Sequence, residues 1–384
     1  SWGKAMSGES LFYVLSQKVT GVTFHLAEGT YDWSSWNERT TFPLYGSVSI
    51  FGGYDLDDYT YEPSKNITKI LNAPFNVYTE NSLVNFKGIR FEESYIRVRD
   101  EGINLNVEDC YFYSKSDVNV SYTVFTTGVT KLINDTFDVV NTVIGCGGDS
   151  LIVDNCCLRS DRSCVENKNT SDKTIQVIKN SSLASKGTDI NIYGGELYLI
   201  NNKICYDGIA GKWYAAQGMG LSNSNIYVAT TLVSVGENCT KFVCGENEMS
   251  IARMWSVLVE GNASCYFYKN YIGITKDGNT SLDHRTGDAI ALSSNNSCVF
   301  PSDKDSSNYI NGSNHGLYLV GCSNVDIQSF IFSGNVCAVE ASGDLSSLQI
   351  HDNQFLANTT CIELSTPADG LTIKTIILKV IEMV

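Results

Sequence analysis

Apolar and polar positions along this chain fall into one short unit that keeps returning. It reads apolar, any, Asn/Asp/Gly, any, any, apolar. Clear copies are Phe86-Lys-Gly88-Ile-Arg-Phe91, Val107-Glu-Asp109-Cys-Tyr-Phe112, Val153-Asp-Asn155-Cys-Cys-Leu158, Ile178-Lys-Asn180-Ser-Ser-Leu183 and Ile350-His-Asp352-Asn-Gln-Phe355. Ile133-Asn-Asp135-Thr-Phe137 and Ile200-Asn-Asn202-Lys-Ile204 read as the same unit shortened by one residue, and Ile327-Gln-Ser329-Phe-Ile-Phe332 as a looser copy. Starts at 86, 107, 133, 153, 178 and 200 give steps of 21, 26, 20, 25 and 22 residues.

Around each copy apolar residues alternate, as in Ile103-Leu105-Val107 and Leu197-Leu199. Period 2 predicts strands. The central polar residue tolerates a left-handed backbone or bonds locally, which lets a strand turn a corner. Strand, corner and strand at this period predict one coil of a parallel β-helix, about 4.8 Å above the last. The fold class expected is all-β: a right-handed parallel β-helix of about 12–14 coils, from the repeat length. Residues 1–20 differ. Met6, Leu11, Phe12, Val14 and Leu15 have helical spacing and predict a short N-terminal capping helix. Residues 21–384 are expected to form one β-helix domain, with loop insertions around 206–225 and 276–310 where the repeat blurs.

Composition narrows the setting. Hydrophobic residues make up 43% and the formal net charge is −15, so a large core is affordable and nucleic acid is an unexpected partner. No run of 18 apolar residues is present, so no transmembrane helix is expected. Eleven Asn-x-Ser/Thr sequons occur, at Asn66, Asn119, Asn134, Asn169, Asn180, Asn238, Asn262, Asn279, Asn295, Asn311 and Asn358. Together with 13 cysteines they point to an extracellular or cell-surface glycoprotein. Cys239/Cys265, Cys298/Cys322 and Cys337/Cys361 are each separated by close to one coil. Such pairs are either disulfide candidates or a ladder of buried thiols.

The opening "Leu-Ala-Glu-Gly-Thr-Tyr" (26–31) and "Val-Ser-Ile-Phe-Gly-Gly-Tyr-Asp" (48–55) resemble the first coils of right-handed parallel β-helix surface proteins. These belong to the pectin-lyase-like fold, in its polymorphic outer-membrane-protein-like and adhesin-like branch. Phe332-Ser-Gly-Asn335 and Phe355-Leu-Ala-Asn358 resemble the Phe-x-x-Asn repeat of that group; its Gly-Gly-Ala partner is missing. The resemblance implies a non-enzymatic adhesin or a structural subunit of a surface layer or filament. Its partners would be carbohydrate, a cell-surface protein, or copies of itself end to end.

The same fold hosts polysaccharide lyases and glycoside hydrolases, so a site must be sought. The acid–base candidates are Asp283, His284 and Asp288, with His315 about one coil later. Whether the chain is an enzyme stays open at this point. Asp303, Asp305 and Asn308 offer alternating oxygens that suit Ca²⁺, without the glycine and distal glutamate of a calcium loop. No cofactor is otherwise implied. Trp33, Trp36, Trp213, Tyr214, Trp255, Tyr309 and Tyr318 are either sugar platforms or interior stacks.

Overall fold

The computed structural model describes residues 8–35, 42–116, 121–213, 231–279, 281–282, 287–294, 298–300, 304–322, 324–345, 347–366 and 371–379. It is an all-β parallel β-solenoid with about 13 turns and one short helix. The chain divides into two compact units, Ser1–Glu166 and Asn167–Val384.

The first unit opens with the helix Gly8–Ser16, which buries Leu11, Phe12 and Leu15. Phe12 sets its ring edge against Trp33 (5.1 Å) and Phe42 (5.5 Å), covering the first coil. Three columns of parallel strands follow. In one column Leu83–Lys87, Asn104–Glu108, Val129–Ile133 and Ser150–Asp154 align Phe86, Val107, Leu132 and Val153. In the next, Phe91, Phe112, Phe137 and Leu158 align. All eight side chains are buried, and the phenylalanines stack at 4.6 and 4.5 Å between centroids.

Between these columns the chain turns through a left-handed residue: Gly88, Asp109, Asn134 and Asn155 all have φ between 54° and 64°. This corrects one reading of the sequence. The copy at 133 is not shortened: Leu132 is its inward residue, Asn134 its corner and Asp135 a buried residue beyond the corner. In the second unit Leu199 and Asn201 take the same places, aligned on Ile178 and Asn180. The true steps are 132 − 107 = 25, 153 − 132 = 21 and 199 − 178 = 21. Adjacent apolar pairs, Leu132-Ile133 and Leu199-Ile200, offer two phases, and only pairing with the neighbouring strand selects one.

The second unit repeats the architecture. One column runs through Ile175–Lys179, Ile190–Ile200, Thr231–Gly245 and Ser264–Tyr268. Another runs through Trp255–Glu260, Asp288–Ser293, His315–Val320, Cys337–Ser342 and Thr360–Leu364. The insertion expected at 206–225 begins as a hairpin in which Tyr206–Asp207 pairs antiparallel with Lys212–Trp213; residues 214–230 lie outside the described residues. The stretch 276–310 holds regular strands at Asp288–Ser293 and Asn308–Asn311 as well as loops.

The residue after the corner performs a distinct task. Asn202, Asn247, Asn270 and Asn308 are fully or almost fully buried and bond in series. Asn202 Nδ2 donates to Asn247 Oδ1 (3.0 Å), Asn247 Nδ2 to Asn270 Oδ1 (3.1 Å) and Asn270 Nδ2 to Asn308 Oδ1 (2.9 Å). Each also caps a backbone carbonyl one coil back. The corner leaves inward-facing backbone groups that no strand partner reaches, and an amide supplies both donor and acceptor for them. Phe-x-x-Asn has the same cause. Phe332 and Phe355 point inward, Gly334 and Ala357 turn the corner, and Asn335 and Asn358 bond to each other (2.9 Å).

In the first unit an aspartate occupies this position. Asp135 accepts from the backbone N–H of Cys110 (2.8 Å) and Ile133 (3.0 Å). Burial still pushes its carboxyl well above the usual carboxylate range, with Asp109 and Glu108 adding to the rise. A raised folded pKa makes the folded state hold a proton that the unfolded state releases. Stability from this group is therefore complete below about pH 4 and falls as pH rises toward the folded value. Asp135→Asn keeps only one acceptor oxygen for these two N–H groups, so it is expected to destabilise the unit by about 1–3 kcal/mol at pH 4. The deficit should narrow at pH 8, where the raised carboxyl pKa costs the wild type stability that the amide does not lose. Chemical denaturation at both values checks it.

Candidate functional site

Two of the four acid–base candidates meet. Asp288 starts one strand and His315 starts the next in the same column. His315 Nδ1 lies 2.8 Å from Asp288 Oδ1, which also accepts from the His315 backbone N–H and from Asn314 Nδ2 (both 3.3 Å). The second ring nitrogen, Nε2, lies 2.6 Å from Glu340 Oε2 on the strand Cys337–Ser342. The Tyr318 ring stacks on the imidazole, 5.2 Å between centroids. Glu363 pairs in register with Glu340 on the following strand. Asp283 and His284 lie outside the described residues.

Glu340 was not legible as a site residue. It sits one coil beyond His315 and three strand positions along, so no local spacing links it to the imidazole. The only local signal is its outward place in the burial alternation of Cys337–Ser342.

An imidazolium satisfies both carboxylates; a neutral ring satisfies only one as donor. The Asp288 hydrogen bond, with the charges of Asp288, Glu340 and Glu363, raises the His315 pKa above its usual value against the opposing effect of burial. The geometry therefore favours the charged ring, and the three side chains are only 14–21% exposed. His25 and His351 have structural settings. His25 packs its edge on Phe51 and Tyr54, and His351 bridges Asp326 (2.9 Å) and Asp352 (2.7 Å).

The sequons divide by position. Asn134, Asn180, Asn238, Asn262 and Asn279 are exposed. Asn134 and Asn180 lie in surface amide pairs with Asn155 (2.8 Å) and Asn201 (2.9 Å). Asn169 and Asn311 are half-buried. Asn66 is buried and donates to the Thr60 carbonyl; Asn358 is half-buried, donating to the Phe332 carbonyl and accepting from Asn335. Asn119 and Asn295 lie outside the described residues.

No disulfide joins any of the thirteen cysteines. The pairs expected from coil spacing are not in register. Phe242, not Cys239, faces Cys265; Thr360, not Cys361, faces Cys337; and Cys298 faces Cys265 rather than Cys322. A separation close to one coil does not fix lateral register when coil lengths vary. Burial pushes the Cys239 thiol up to about 12 and raises Cys244 and Cys298 as well, which suits inert core residues.

The calcium candidate separates. Asn308 points inward into the amide ladder, Asp305 sits in a short 3₁₀ turn, and Asp303 lies outside the described residues. Among the described residues no three or more His, Cys, Asp or Glu side chains form a metal-binding group. Of the aromatic candidates, Trp33 is buried under the N-terminal helix and Tyr309 stacks on Tyr271 at 4.9 Å. Trp36 and Tyr214 lie outside the described residues. No helix among the described residues is long and apolar enough to cross a membrane.

No protein-family model matches the chain, and no curated protein or solved structure matches it either.

Proposed function

We propose that this chain is a non-enzymatic extracellular β-solenoid, an adhesin or a structural subunit of a surface layer or filament, akin to the pectin-lyase-like surface proteins its opening coils resemble. The observation that carries the reading is the two-sided clamp on His315. A general base needs a free lone pair, and a general acid needs a proton it gives up near the working pH. With a carboxylate at hydrogen-bond distance from each ring nitrogen and its pKa raised, His315 is poorly placed for either role. It acts as a charged rivet between three coils. The exposed sequons on the coil corners support a glycan-bearing, extracellular surface.

A second reading, a polysaccharide lyase or glycoside hydrolase, is favoured by the convergence of Asp288, His315 and Glu340 in one place. One variant separates the two. A raised folded pKa means the clamp stabilises fully below the ordinary histidine value of about 6.5 and fades as pH climbs through the folded value. On the first reading His315→Gln lowers the melting temperature more at pH 5.5 than at pH 9 and abolishes no polysaccharide cleavage. Loss of a measurable hydrolytic or eliminative activity at unchanged stability would transfer the conclusion to the enzyme. Antibody labelling of intact against permeabilised source cells tests the location; labelling that needs permeabilisation counts against the surface role.

A further inference from the structure

A polar cleft of about 430 Å³ opens in the second unit, at the far end of the strand that carries Asp288. Asp288 and Ser293 bound one strand, so cleft and clamp stand about 16 Å apart at 3.3 Å per residue. The cleft arises from a bulge. Ile192 pairs with Val235 and Gly194 with Asn238, so Gly236 and Glu237 together oppose the single residue Tyr193. The extra residue swings the backbone out and leaves the Tyr193 ring 42% exposed.

Two glycines keep the floor open. A Cβ on Gly236 would stand 3.2 Å from the Tyr193 Cα. One on Gly261, where φ is +78°, would stand 2.8 Å from the Glu237 Cα. Neighbouring coils can approach here only because both side chains are missing.

The lining has a definite chemistry. Tyr193 offers an aromatic face, and its hydroxyl accepts from Asn191 Nδ2 at 3.4 Å, which helps orient the ring. Asn191 and Ser234 share one register position on adjacent coils, as Glu260 and Ser293 do. Amide, hydroxyl and carboxylate groups thus repeat along the cleft at the coil spacing of about 4.8 Å. Among the described lining residues Glu237 and Glu260 are the charged ones, and none carries positive charge.

A ring with one apolar C–H face and hydroxyls around its edge matches an aromatic platform beside repeated acceptors. The two carboxylates repel an anionic one. We propose that this cleft binds a neutral, hydroxyl-rich saccharide chain laid across successive coils, with Tyr193 as the stacking platform. The inference rests on the surface-presentation reading and supplies its binding site and ligand class.

The test uses the full chain after enzymatic removal of N-linked glycans, so that none at the Asn238 and Asn262 sequons occupies the rim. Oligomers of glucose, mannose, galactose and N-acetylglucosamine are titrated by calorimetry, with polygalacturonate as the anionic control. At least one neutral oligomer binds and polygalacturonate does not. Tyr193→Ala weakens that binding by about tenfold or more with the melting temperature unchanged. Ser234→Trp, an outward change that fills the cleft, blocks it. The proposal is overturned if no neutral oligomer binds, if polygalacturonate binds as well, or if binding survives both substitutions. Intact-cell labelling with no saccharide binding removes this site and leaves the surface role standing; absence of surface labelling removes the role itself.

Discussion

Asn247→Ala is expected to destabilise the Asn167–Val384 unit by about 3–5 kcal/mol, at the upper end for a single substitution. Asn247 is fully buried in the middle of the amide ladder. Its Oδ1 accepts from both the backbone N–H and the Nδ2 of Asn202, at 2.9 and 3.0 Å. Its Nδ2 donates to the Leu199 carbonyl at 2.9 Å and to Asn270 Oδ1 at 3.1 Å. Removing the amide orphans two donors and a carbonyl in a dry interior, each costing about 1–3 kcal/mol before relaxation. A surface amide gives the contrast. Asn106 Nδ2 donates to Asn85 Oδ1 at 2.8 Å on a half-buried outer face, and Asn106→Ala should cost about 0.5–1.5 kcal/mol. Denaturant midpoints measure both. Amide hydrogen exchange adds a local readout, because the Asn202 N–H should lose its protection in Asn247→Ala. A cost below about 1 kcal/mol would mean that the ladder is not dry.

The corners were legible because their cause is local. Gly88, Asp109, Asn155, Asn180, Ser329 and Asp352 were expected to turn the chain, and each has positive φ. A left-handed backbone restricts the residue type at that one position, whatever packs beside it. Alternation and the capping helix are local too, and both appear. What the sequence hid depends on which residue lies opposite which. Leu132 rather than Ile133, and Leu199 rather than Ile200, face inward because the neighbouring strands settle the phase. The buried amide ladder left a trace that is clear only in that corrected frame: Asn202, Asn247 and Asn270 each directly follow a left-handed corner residue. The cysteine pairs failed for the same reason, since spacing measures coil length and bonding needs register. Asp288 and His315 stand 27 residues apart with one coil between them, which is why their meeting could be foreseen and that of His315 with Glu340 could not.

The two units use different means to satisfy one geometric demand. Every corner leaves inward backbone groups unpaired, and the second unit meets them with asparagines in series. The first unit places Cys110, Asp135 and Cys156 at these positions, so its corners carry thiols and one buried carboxyl with a raised pKa. Its regularity must then come more from apolar packing. That shifts the most sensitive position in the first unit from the polar ladder to the aromatic column.

Phe112→Ala should accordingly cost the Ser1–Glu166 unit about 3–5 kcal/mol, the range for removing a buried phenylalanine. Phe112 is fully buried between Phe91, at 4.6 Å and 15° between ring planes, and Phe137, at 4.5 Å and 4°. Both neighbours sit on flanking strands paired in register with its own, so neither ring can tip inward far enough to fill the hole. Phe112→Leu keeps most of the volume and should cost no more than about 1.5 kcal/mol. In a double-mutant cycle with Phe137→Ala the two losses should fail to add, by about 0.5–1.5 kcal/mol, because the second truncation enlarges a hole already open and their stacking is counted only once. Thermal and denaturant unfolding of the four proteins settles the point. Additive losses, or a Phe112→Ala cost under about 1 kcal/mol, would show that the rings do not form a continuous packed column and that the first unit holds its coils together by other means.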